Sequence, residues 1–188
     1  MEISLRDLVT VLHGMGFGAL FMLAFSGAIG VIYATAIADT HWQPGAGASR
    51  MFRFYLISMA VLAWLAVISG VYVVYPWYRA VPPPGTTDLS PYPQRLLQSS
   101  PLTAGWHAYG MEWKEHVAWL APIAMTMVAF VFIKYGPRLV LFRQLRNAVL
   151  GFTAVAFFAT AVAGMFGAFL NKYAPVRGGP EIVLLQEK

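Results

Sequence analysis

The sequence predicts an all-α integral membrane protein: a four-helix transmembrane bundle with a periplasmic proline-rich loop and a short interfacial helix. Three observations carry that prediction. Of 188 residues, 59% are hydrophobic and only 11% are charged, where soluble domains run near 25% charged. Four stretches hold no charge at all: Leu8 to Ala38, Phe54 to Tyr78, Val117 to Ile133 and Ala148 to Leu170. About 20 helical residues cross a hydrocarbon core about 30 Å thick, so three stretches qualify outright and Trp113, His116 and Lys134 extend the other to the interfaces. Finally, Gly and Pro punctuate the connections, most densely in AVPPPGTTDLSPYPQ, which reads as a rigid polyproline-like strap. The expected spans are 8–38, 54–78, 113–135 and 147–170 within a single domain, 1–188.

Charge placement gives an orientation. The loops Asp39–Arg53 and Lys134–Asn147 carry Arg50, Arg53, Lys134, Arg138, Arg143 and Arg146. Short loops dense in Lys and Arg tend to stay cytoplasmic, which puts both termini and the Arg79–Glu115 loop on the periplasmic side of a bacterial inner membrane. No basic run points to nucleic acid; RLVLFRQLR reads as an interfacial turn that meets lipid headgroups. The chain has no cysteine, which excludes disulfides, iron–sulfur ligation by this chain and covalent c-type haem attachment.

Taken in order, the first span carries His13 about one turn inside, among Gly14, Gly16 and Gly18. Such glycines allow close helix packing, and beside an intramembrane histidine they also leave room for a flat ligand. The following loop contains His41, read as a solvated or headgroup-facing histidine. The second span has no ionisable group but ends in Tyr72, Tyr75, Trp77 and Tyr78, an aromatic belt. After the strap, Ser100-Pro101 reads as N-cap and first helical position. The third helix is expected to begin around Met111–Glu115 and to kink at Pro122. The fourth is rich in small residues, with Gly164 and Gly167 near its outer end. The tail's apolar EIVLL is a candidate contact with a partner.

Chemistry concentrates in WHAYGMEWKEHVAWLAP, residues 106–122. Glu112, Glu115 and His116 stand at i, i+3 and i+4 and share a helix face. His107, nine residues before His116, falls on another face and is an interfacial residue or an alternative ligand. Because helices alternate direction, His13 and His116 lie at similar depth near one membrane surface. Two neutral imidazoles from facing helices are what a bis-histidine haem b needs. On this reading His13 and His116 ligate the iron, Gly14, Gly16, Gly18, Gly164 and Gly167 thin the surrounding walls, and Arg79, Arg95 or Lys114 pairs with propionates.

Four spans with an outer His13/His116 pair resemble, at class level, the small four-helix membrane b-type cytochromes: the cytochrome b561-like and quinol-oxidising cytochrome b subunits. Two-haem members carry histidines near both faces, whereas here helices two and four have none. The resemblance implies electron transport between the quinone pool and a periplasmic carrier, such as a c-type cytochrome, beside other subunits of a redox complex. Two further readings compete. One is a quinol site in which a histidine takes one hydroxyl proton and Glu112 or Glu115 the next. The other is a cofactor-free accessory subunit of a respiratory or photosynthetic complex, its glycine-rich faces serving assembly.

Overall fold

The computed structural model describes residues 2–37, 45–176 and 181–183. Four helices in it are long and apolar enough to cross a membrane. They are α1 (Leu5–Ile37), α2 (Gly47–Tyr78), α4 (Pro101–Leu141) and α5 (Arg143–Tyr173). A short helix, α3 (Pro93–Gln98), interrupts the connection between α2 and α4. At the chain ends β1 (Glu2–Ser4) pairs antiparallel with β2 (Glu181–Val183), so both ends of the chain meet on one side of the bundle, called here the terminal end. Part of the EIVLL segment thus pairs with the protein's own N-terminal strand.

The helices form a closed ring in which α1 packs on α2, α2 on α4, α4 on α5 and α5 on α1. Its core is built at helical spacing. Phe21, Phe25, Ala28 and Ile32 of α1, Leu56 and Met59 of α2, Met125, Val128 and Phe132 of α4, and Ala156 of α5 form one buried cluster. Burying one such large side chain contributes about 1.5–3 kcal/mol in water. Within a bilayer the tails are as apolar as leucine, so close packing takes over as the organising force. Tyr55 shows it: its hydroxyl donates to the Ala24 carbonyl at 2.6 Å, and a Cβ on Gly27 would come within 2.8 Å of that oxygen.

The helix starts and stops are local. Ser4 and Asp7 form a capping box that opens α1. Ser100 caps the Leu102 amide with Pro101 in the first helical turn, as the Ser-Pro pair leads one to expect. The third membrane helix therefore begins about ten residues earlier than expected from sequence, because nothing between Pro101 and Met111 breaks it. Gly136, at φ 50°, ends its α-helical part and turns the chain into a tight 3-10 segment reaching Leu141. A φ of that sign strains a residue with a Cβ, so glycine is required there.

At the terminal end the helices widen. The π-helical stretches are Leu12–Ala19 in α1, Gly70–Val74 in α2, and Trp106–Met111 and Trp113–Val117 in α4. Three neighbouring helices thus loosen their backbone at the same depth. π-turns are frequent at functional sites. A second buried cluster, Tyr78, Leu97, Met111, Leu170 and Ala174, holds α3 and its connection against this end.

Candidate functional site

The site grows from the wide turns of α1. His13 sits in them, and its Nδ1 lies 3.0 Å from the Ser69 hydroxyl of α2. The same hydroxyl also lies within donating reach of the Ala66 carbonyl, at 3.1 Å. With its proton turned to Ala66, Ser69 accepts from His13 Nδ1–H and Nε2 is the acceptor; with it turned to Nδ1, the roles reverse. The ring lies edge-on to Gly70, where a Cβ would meet Cε1 at 2.8 Å. Glycine is the residue that lets α2 come this close.

Lys114 completes the cluster from α4. Its ammonium rests against α5, 3.2 Å from where a Gly167 Cβ would stand, and its charge acts on His13. A lysine turned into the bundle from a helix long and apolar enough to cross a membrane is costly to bury and points to function. Next along the helix, the Glu115 carboxylate neighbours the Tyr75 hydroxyl of α2. That hydroxyl accepts from Arg79 Nη1 at 2.9 Å, and this hydrogen bond holds the exposed guanidinium above its ordinary pKa. Imidazole, ammonium, carboxylate, phenol and guanidinium thus lie together at one end of the bundle.

The other expected residues fall elsewhere. His116 Nε2 pairs with Glu112 at 3.3 Å within α4, their side chains 70% and 61% exposed. Residues two apart on a helix point to nearly opposite sides, so with Lys114 turned inward His116 faces out. His107 is tied to Tyr78 at 2.8 Å and to Gln94 at 3.4 Å. Gly14 and Gly164 face open space, Gly16 neighbours only its own Leu12, and Gly18 lies against the His13 carbonyl. Of those five glycines, Gly167 alone lies against a side chain of another helix. His41 lies outside the described residues.

A bis-histidine haem needs two imidazole nitrogens reaching one iron from opposite faces of the ring. His13 is turned to Ser69 and Gly70 while His116 is paired on the outward face of α4, so this pair does not fit the iron as arranged. Among the described residues, no group of three or more His, Asp or Glu side chains converges on a point fit for a metal ion.

The structure sets His13 against Ser69 and Gly70, neither of which the sequence singled out, and turns Lys114, expected from sequence beside propionates, toward the same end of the bundle. The signal was present. Ser69-Gly70 stands near the end of span two, at the depth of His13 near the start of span one. Fold and site together define a multi-pass membrane protein with a polar cluster inside one end of its bundle. Comparison with protein-family models, curated proteins and solved structures returns no match.

Proposed function

We propose that the chain is a quinol-binding subunit of a larger redox complex in the bacterial inner membrane, with both termini periplasmic, and that the two electrons of the quinol pass to a redox centre held by another subunit of that complex. The working site is the His13–Ser69–Lys114 cluster. The observation that supports this reading is that an imidazole and an ammonium, from different helices, lie at the same end of the bundle. A quinone offers two carbonyl acceptors and a quinol two hydroxyl donors. Lys114 suits the first and His13 Nε2 the second. Glu115, in contact with the Tyr75–Arg79 pair, stands where a released proton leaves for water, and Glu112 is left to its pairing with His116. General-base chemistry of this kind needs the tautomer that leaves Nε2 unprotonated, the one in which Ser69 accepts from Nδ1–H.

The test is binding of a short-chain ubiquinone to the purified full chain, read by quenching of its tryptophan fluorescence. Saturable quenching is expected, weakened about tenfold or more in Lys114→Met and in His13→Leu, and unchanged in His116→Leu. Absence of saturable quenching, or equal affinity in all variants, overturns the quinone site. A sharp α band in the reduced-minus-oxidised spectrum, lost in both His13→Ala and His116→Ala, overturns it in favour of the haem b reading.

A second reading, a cofactor-free accessory subunit, draws on α2. Its most apolar window is 17% buried by its own chain, against 44% for α4, leaving a broad face for neighbouring helices of a complex.

A further inference from the structure

At the end opposite the polar cluster, a cavity of about 260 Å³ opens between α1, α2 and α4. Its walls are apolar, with Val31, Phe52, Phe132 and Val140 contributing and the backbone turn at Gly136 shaping one side. Two polar residues, Thr35 and Ser49, also line it. Each has its main-chain carbonyl held by an arginine. Arg146 Nη1 of α5 donates to Thr35 O at 3.3 Å, and Arg53 Nε of α2 donates to Ser49 O at 3.3 Å. The slot is apolar within and has a guanidinium fixed by each of two lining residues.

The surrounding charge is one-sided. The segments at this end carry Arg50, Arg53, Lys134, Arg138, Arg143 and Arg146, and no carboxylate among the described residues. We propose that the slot is a specific site for one anionic phospholipid, an acyl chain lying between α1, α2 and α4 and the phosphate held between Arg53 and Arg146. Guanidinium groups pair with phosphate through two parallel hydrogen bonds, which a zwitterionic headgroup offsets with its own cation. Basic pockets between membrane helices hold anionic headgroups in the same way. This site is independent of the quinone reading, since it shares no residue with the polar cluster.

Native mass spectrometry of the full chain in detergent, with phosphatidylglycerol or phosphatidylcholine added, tests it. One phosphatidylglycerol per chain is expected to survive collisional activation that strips phosphatidylcholine. Arg53→Gln and Arg146→Gln each lower retention about fivefold, the equivalent of about 1 kcal/mol per basic residue at an anionic surface. Val31→Trp fills the slot with every charge kept, and abolishes the retained copy. Circular dichroism of each variant establishes that the helices persist; should Arg146→Gln lose them, Arg53→Gln and Val31→Trp decide the matter. Equal retention of the two lipids, or undiminished phosphatidylglycerol binding in Val31→Trp, overturns the proposal, the latter by showing headgroup adhesion to a basic surface alone.

Discussion

His13 Nδ1 and the Ser69 hydroxyl share a hydrogen bond at 3.0 Å, and that contact ties α1 to α2. The same hydroxyl reaches the Ala66 carbonyl within α2 at 3.1 Å. The same approach brings the ring edge against Gly70. Chemistry and packing are therefore inseparable at this point: the residue that supplies a base is also the knob that α2 closes on.

That coupling gives a double-mutant cycle. Gly70→Ala places a methyl 2.8 Å from His13 Cε1, and overpacking of this sort costs about 1–3 kcal/mol. His13→Ala removes the obstructing ring. The double variant is expected to lose less stability than the sum of the two single ones, with a coupling of about 0.5–3 kcal/mol for residues in contact. Reversible unfolding in mixed micelles, followed by circular dichroism, measures it. Strict additivity would mean that the ring does not occupy the space beside Gly70.

The helices were legible because their physics is local. Uncharged runs of membrane length need only composition, and Ser100-Pro101 and Gly136-Pro137 mark ends by backbone chemistry alone. The site was legible only in depth. Counting spans puts His13 level with residues 106–122, but which of Lys114, Glu115 and His116 turns inward depends on helix rotation. Each π-helical turn takes in more residues than the 3.6 assumed for a straight helix, and α4 carries two such stretches before Leu120. Rotation accumulated over those turns is invisible in apolar spacing. The same limit hid Gly70, whose use is set by a neighbour 57 positions earlier in the chain.

Asp88, in the connection after α2, supplies a pH handle outside the membrane helices. The Ser90 amide donates to its carboxylate at 2.9 Å, and this bond, aided by the Ser90 hydroxyl, holds the carboxyl below its ordinary pKa. The folded value being depressed, the turn's contribution is complete above the unfolded pKa of about 3.9 and fades as pH falls through the folded value. Carbon-detected NMR titration of Asp88 is expected to place its midpoint below that figure. Ser90→Pro removes both donors and is expected to return the midpoint to the ordinary carboxylate range. An unchanged midpoint in that variant would show that the turn's hydrogen bonds do not set it.

His107 fastens the connection between α2 and α4, which makes it a structural lock distinct from the His13 cluster. With the Gln94 amide nitrogen donating to Nε2, the ring proton sits on Nδ1 and points to the Tyr78 oxygen 2.8 Å away. Tyr78 is buried, as is Gln94 at the start of α3, so the three residues tie the ends of the connection to α4. Tyr78→Phe keeps the ring and its packing and removes the hydroxyl, at a cost of about 0.5–1.5 kcal/mol. Local opening of α3 then becomes about two- to twelvefold more populated, and trypsin cleavage at Arg95 accelerates in proportion when reclosing outpaces the protease. Tyr72→Phe is the control, since Tyr72 is 72% exposed on the outer face of α2 and its loss leaves the lock intact. Equal cleavage rates in the two variants would mean that packing of Leu97 against α4 and α5 holds the connection without help from the imidazole.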